Sequence, residues 1–202
     1  MASSKRIQIK VFVYLAVLLL IPAFAYAHII GGNGLSDGLI HPLSGIDHLL
    51  AMLAVGIIGV QLGKRAVWFV PLCFVAMMIF GGIAGILGVK VVGTELAIAL
   101  SVIILGMGIA FVKKLPIKYS VPLSLMSVAL AAFFHGHAHG EEMPVVAGPL
   151  LYGVGFVLAT AALHITGVGI GYHGSRTGVR SKLLRFAGIA VSVVGVFFLV
   201  SV

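Results

Sequence analysis

The sequence predicts an all-α membrane protein, a bundle of six transmembrane helices following a cleavable signal peptide. Three observations carry that prediction. Of 202 residues, 61% are hydrophobic and 9% charged, with a mean hydropathy of +1.23. Apolar runs fill nearly the whole chain and leave no room for a soluble module. The basic residues collect in short loops between those runs, so the net charge of +8 reads as membrane topology rather than nucleic-acid binding.

Residues 1–27 have the pattern of a secretory signal. Lys5, Arg6 and Lys10 form a basic start, Val11 to Ala23 an apolar centre, and Ala25-Tyr26-Ala27 an A-x-A cleavage site. The competing reading is an uncleaved first helix. Residues 28–202 then form the six-helix domain. Cleavage would make His28 the new N-terminus, with an amine and an imidazole able to chelate a metal together. Ile29 to Ile40 is Gly-rich and reads as a short extracytoplasmic segment. The next apolar run, Leu49 to Val60, would make only about 18 Å of helix against a hydrocarbon core of about 30 Å. The helix must therefore start near Pro42, a residue suited to the first helical position. That places Asp47 and His48 within the membrane near its outer face. His41 and His48, seven apart, share a face if both are helical, with Asp47 on the adjoining side. A helix cap at His41 and a polar helix contact at Asp47-His48 is the alternative.

A second span is expected over about Ala66 to Gly88, where Met77, Met78, the glycines and the lone Cys73 suit packing. Thr94 should cap a third span, Glu95 to Val112, with Glu95 favourable to the helix dipole. Gly106 and Gly108 suggest close helix approach there. The fourth span runs from Tyr119 toward three histidines and two carboxylates packed into residues 135–142. Its apolar part, Val121 to Phe134, would make only about 21 Å of helix, so it crosses only by continuing into its own histidines. On a continuing helix His135, His139 and Glu142 fall within about 60° of one another, while His137 and Glu141 point elsewhere. A solvated His-rich loop is the bland alternative. The fifth span, about Val145 to Gly171, carries His164. A lone histidine on a small-residue helix is expected to make an interhelical hydrogen bond, an inner metal station being the other reading. His173 reads as solvated, and the last span is about Leu183 to Val202.

With residue 28 outside, the inner loops hold Lys64, Arg65, Lys113, Lys114, Lys118, Arg176, Arg180, Lys182 and Arg185, and the outer loops hold only Lys90. The ends bearing His41–His48 and His135–Glu142 then lie on the same side. The pooled candidate metal ligands are His41, Asp47, His48, His135, His139 and Glu142, with His28, His137 and His164 in reserve. Imidazole with carboxylate and no thiolate suits Ni²⁺, Co²⁺ or Zn²⁺, and ligand type does not choose among them. No G-x-x-x-x-G-K-[ST] motif is present, so the chain carries no nucleotide-hydrolysis signature.

Two motifs give the chain a resemblance. His41, Asp47 and His48 match H-x5-D-H. Phe134, His135, Gly136, Ala138, His139, Gly140 and Glu142 match F-H-G-x-A-H-G-x-E, with His137 and Glu141 at its variable positions. In these motifs and in layout the chain resembles the HupE/UreJ family of nickel and cobalt permeases. The resemblance implies Ni²⁺ or Co²⁺ uptake across the bacterial inner membrane, with no catalytic cofactor. It makes the six matched His, Asp and Glu residues the metal-handling set. The expected partners are the divalent ion and the lipid bilayer, with a second copy of the chain and intracellular metallochaperones as further candidates and nucleic acid excluded. Two other readings stay open: a membrane zinc-dependent hydrolase using Ser44 or Glu141, and a metal sensor or delivery protein that does not transport.

Overall fold

The computed structural model describes residues 34–143, 148–175 and 178–202. The expected signal peptide, its cleavage site and His28 lie outside the described residues. Within them every regular element is helical: α1 (Gly34–Ser44), α2 (Ile46–Leu62), α3 (Ala66–Ile86), α4 (Thr94–Phe111) with a 3-10 turn at Val112–Lys114, α5 (Ile117–Glu141), α6 (Pro149–Gly174) and α7 (Val179–Ser201). Five helices are long and apolar enough to cross a membrane, and the bent pair α1–α2 makes up to six.

Burial follows the logic of a lipid solvent. Trp68, Phe69, Leu72 and Phe197 stand outward, while His48, His135 and His137 are fully buried. Apolar side chains gain little by hiding from lipid, whereas polar groups must face protein. The helices therefore associate through close backbone contact. The α3–α5 crossing shows how: a methyl group at Gly136 would fall on the carbonyl oxygen of Met78, and one at Gly81 on that of Phe133. The motif glycine Gly140 meets Gly82 in the same way.

The first span departs from the sequence expectation. Residues 34–44 form a helix rather than an irregular segment, and Pro42 lies inside it instead of starting the next one. Gly45 is extended (φ −92°, ψ 121°) and breaks the path, so α1 and α2 meet at 83°. Pro42 has no N–H to hold the last turn of α1, which favours a break just beyond it. α1 packs on α6, where a methyl at Gly38 would strike the Tyr152 carbonyl and one at Gly155 the Leu35 carbonyl. His41 and His48 thus sit on two helices, not on one helical face.

α2 still runs the depth of the bundle. Its far end is tied by Gln61 Nε2, which donates to Ile109 O at 2.8 Å near the end of α4. Lys113 Nζ donates to Ser175 O at 3.1 Å, and the Arg185 guanidinium lies 4.8 Å over the Phe111 ring. The basic segments around residues 64, 113 and 185 thus belong to one end of the bundle, and the histidines of the two motifs gather at the other. Smaller corrections concern helix ends. Gly93, in the left-handed region (φ 81°), is the residue before α4, and the Thr94 hydroxyl donates back to Val91 O at 3.1 Å.

Candidate metal centre

Three helix ends build the site. α5 continues through its histidines to Glu141, 25 residues in all, or about 37 Å. This carries His135 and His139 down the inner face of the bundle. The bend at Gly45 brings His41 from α1 and His48 from α2 to the same place. His139 is the hub: its Nδ1 lies 2.8 Å from His41 Nε2, and its Nε2 lies 3.0 Å from His48 Nδ1. Glu142, capping α5, puts Oε2 at 3.6 Å from both His41 Nε2 and His139 Nδ1. The His139 ring beside it holds the Glu142 carboxyl below its ordinary value, against the opposing effect of partial burial.

Donor atoms bound to one ion at about 2.0–2.1 Å lie roughly 3–3.5 Å apart. The His41, His139 and Glu142 atoms, all within 4.8 Å of one another, are already near that spacing. Two imidazole nitrogens at 2.8–3.0 Å must share a proton, because two lone pairs that close repel. A divalent cation is the other species that satisfies such a pair. The donor set, imidazole with one carboxylate, fits a borderline divalent ion.

Below this mouth, the His135 ring centroid lies 5.3 Å from that of His48. His135 Nδ1 donates to Ala131 O at 2.8 Å, which leaves the Nε2 lone pair of a neutral ring facing the interior. The Nε2 atoms of both His48 and His135 are buried without a hydrogen-bond partner among the described residues.

Other candidates are placed differently. Asp47 stands in the first turn of α2 with Oδ1 folded over Gly45, and it is not one of the three clustered ligands. Its charge does reach His41 and His135. His137 points to the other side of α5, where Nε2 donates to Val89 O at 2.6 Å and Nδ1 lies 3.4 Å from Glu141 Oε2. Both of its nitrogens are thereby turned away from the mouth. His164 is buried on α6, and the expected interhelical hydrogen bond is not formed: neither ring nitrogen has a partner among the described residues. Its ring instead meets Phe74 edge-on at 5.2 Å.

Sequence reasoning missed the aromatic wall of the site. Phe156 lies 4.9 Å from His139 and 5.1 Å from His48, and Tyr152 lies 5.9 Å from His41. The i,i+4 spacing of Tyr152 and Phe156 on one face of α6 was the available signal. Beside them a largely apolar groove of about 480 Å³ runs between α3, α5 and α6, with His139 among its lining residues.

Comparison with known proteins identifies the family. The HupE / UreJ protein family matches residues 15–198. Protein HupE of Rhizobium leguminosarum bv. viciae is 42% identical over 193 residues, which cover 95% of this chain and 97% of that protein. No solved structure matches. Both motifs lie inside the matched region, and the chain belongs to the HupE/UreJ family.

Proposed function

We propose that this multi-pass membrane protein is an uptake permease for a divalent transition metal, nickel or cobalt, in the bacterial inner membrane. One observation carries the reading. Ligands from two separate helix ends, His41 on α1 and His139 and Glu142 on α5, converge at the mouth of the bundle, and no other such ligand cluster forms among the described residues. Intramembrane ionisable groups are expensive and are kept for pathways. The basic end of the bundle fits the cytoplasmic side, so the histidine end faces the periplasm.

Glu142, the exposed member of the set, meets the hydrated ion first and exchanges part of its water for carboxylate. His41 and His139 then complete a mixed site, with His48 as the next imidazole inward. Asp47 adds negative charge near both His41 and His135 and lowers the cost of bringing a dication to that depth. A membrane potential of 100 mV favours inward movement of a divalent ion by about 4.6 kcal/mol.

The hydrolase reading loses its extra groups. Ser44 Oγ donates to His41 O at 2.6 Å on its own helix, and Glu141 is engaged with His137. The test is ⁵⁷Co²⁺ and ⁶³Ni²⁺ flux into proteoliposomes. Wild-type protein should transport, and His139→Ala should lower the rate at least tenfold. Ester or amide hydrolysis without flux would establish the enzyme instead. Saturable binding with neither would establish a sensor or delivery protein.

A further inference from the structure

Three imidazoles below the mouth have no use for their buried nitrogens in holding the fold together. His48 Nε2, His135 Nε2 and both nitrogens of His164 are buried without a hydrogen-bond partner among the described residues. His164 is only 3% exposed. A buried polar atom without a partner destabilises the fold, and four of them in one region do so several times over. Such a cost is concentrated where a ligand would repay it.

The imidazoles are also arranged in depth. His139 sits about 3 Å below the end of α5, and His135 about 9 Å below it. His164 lies about 22 Å along α6 from Pro149, which starts at the same end. Phe74 stands between the levels, 6.4 Å from the His135 ring and 5.2 Å from the His164 ring. Gly56 and Gly167 bring α2 and α6 into backbone contact beside His164, whose carbonyl oxygen a methyl at Gly56 would strike, so α2 covers His164 on that side.

We propose that His164 is an inner, imidazole-only station for the transported cation, reached from His48 and His135 past the Phe74 ring. The inference rests on the permease reading and adds a second site to it. Its chemistry differs from the mouth because no carboxylate takes part. The inner station therefore holds the dication more weakly, as onward release requires. The three rings do not form a closed three-ligand cage as they stand, since the ligand cluster of the described residues is the one at the mouth. Closing on the ion requires Phe74 to swing aside, so passage is stepwise.

The test uses full-length protein in nanodiscs and proteoliposomes, with Co²⁺ as the probe. His164→Leu keeps the volume, cannot ligate, and removes two unpartnered nitrogens from the interior. The expected result is Co²⁺ binding at the mouth within twofold of wild type, flux lowered at least tenfold, and a melting temperature equal to or above wild type. A packing or hydrogen-bonding role would instead lower the melting temperature and leave flux per folded molecule unchanged, which overturns the inner station. Wild-type flux in His164→Leu overturns it too, while leaving the mouth intact. His139→Ala separates the two readings: it should abolish the tight binding that His164→Leu retains. Absence of Co²⁺ binding in the wild-type protein would remove the permease reading and the station with it. If His164→Leu fails to fold, His164→Gln is measured in the same way, with the same binding and flux criteria.

Discussion

Gly136→Ala, a substitution that touches no ligand, should cripple the site. A methyl at Gly136 meets the carbonyl oxygen of Met78, with Met78 C at 2.8 Å and Cα at 2.9 Å. All three are backbone atoms of α3, so no side chain can rotate out of the way. Either the two helices part or one bends. Overpacking of this kind costs about 1–3 kcal/mol, and a rigid backbone obstacle belongs at the upper end. Alanine returns about 0.5–1 kcal/mol through its better helix propensity. The net loss is therefore about 2 kcal/mol, equivalent to a fall of about 4–8 °C in melting temperature for a chain of this size. Because α5 carries His135 and His139, the same displacement spoils their spacing to His41 and His48, and Co²⁺ flux should fall more steeply than stability. Gly153→Ala on α6 is the control, since a methyl there meets nothing within 4 Å. It should be neutral or slightly stabilising. A Gly136→Ala protein that melts and transports like wild type would refute the close α3–α5 crossing as the feature that sets the site.

Three further outcomes are expected. Metal uptake should weaken as pH falls below about 6.5, because imidazoles must be neutral to bind and burial delays their protonation. Glu142 is held below its ordinary carboxyl value and stays ionised across that range. Glu142→Gln should lower affinity and, by removing a negative charge 3.6 Å from His41 Nε2 and His139 Nδ1, move the pH midpoint downward, and a flux–pH series on both proteins checks this. Finally, His137→Ala should reduce thermal stability by about 0.5–1.5 kcal/mol, because it removes the hydrogen bond that ties α5 to Val89 O in the turn after α3, with Co²⁺ affinity unchanged.

Much of the architecture was legible because lipid imposes a simple length rule. The run from Val121 to Phe134 is too short to cross, and the observed α5 does continue through its histidines to Glu141. The charge asymmetry placed both histidine motifs at one end, and His41, His48, His135, His139 and Glu142 do meet there. The bend at Gly45 was not legible. A lone glycine after Pro42 is compatible with a continuous helix or a break, and only the packing of α1 on α6 decides between them. The same packing explains why Asp47 misses the cluster: its carboxylate lies at the start of a new helix rather than midway along an old one. His164 was read as a hydrogen-bonding residue because that is what a buried imidazole normally requires. Its lack of a partner is a property of its neighbours, Phe74 and the α2 backbone, which are remote in sequence.

X-ray absorption of the Ni²⁺-loaded protein at the nickel edge tests most directly whether His41, His139 and Glu142 hold the ion together. The predicted spectrum has a nitrogen and oxygen first shell with outer-shell scattering from at least two imidazoles, and His139→Ala should lose that imidazole signature. A sulfur-containing shell, or an imidazole signature unchanged in His139→Ala, would contradict the account.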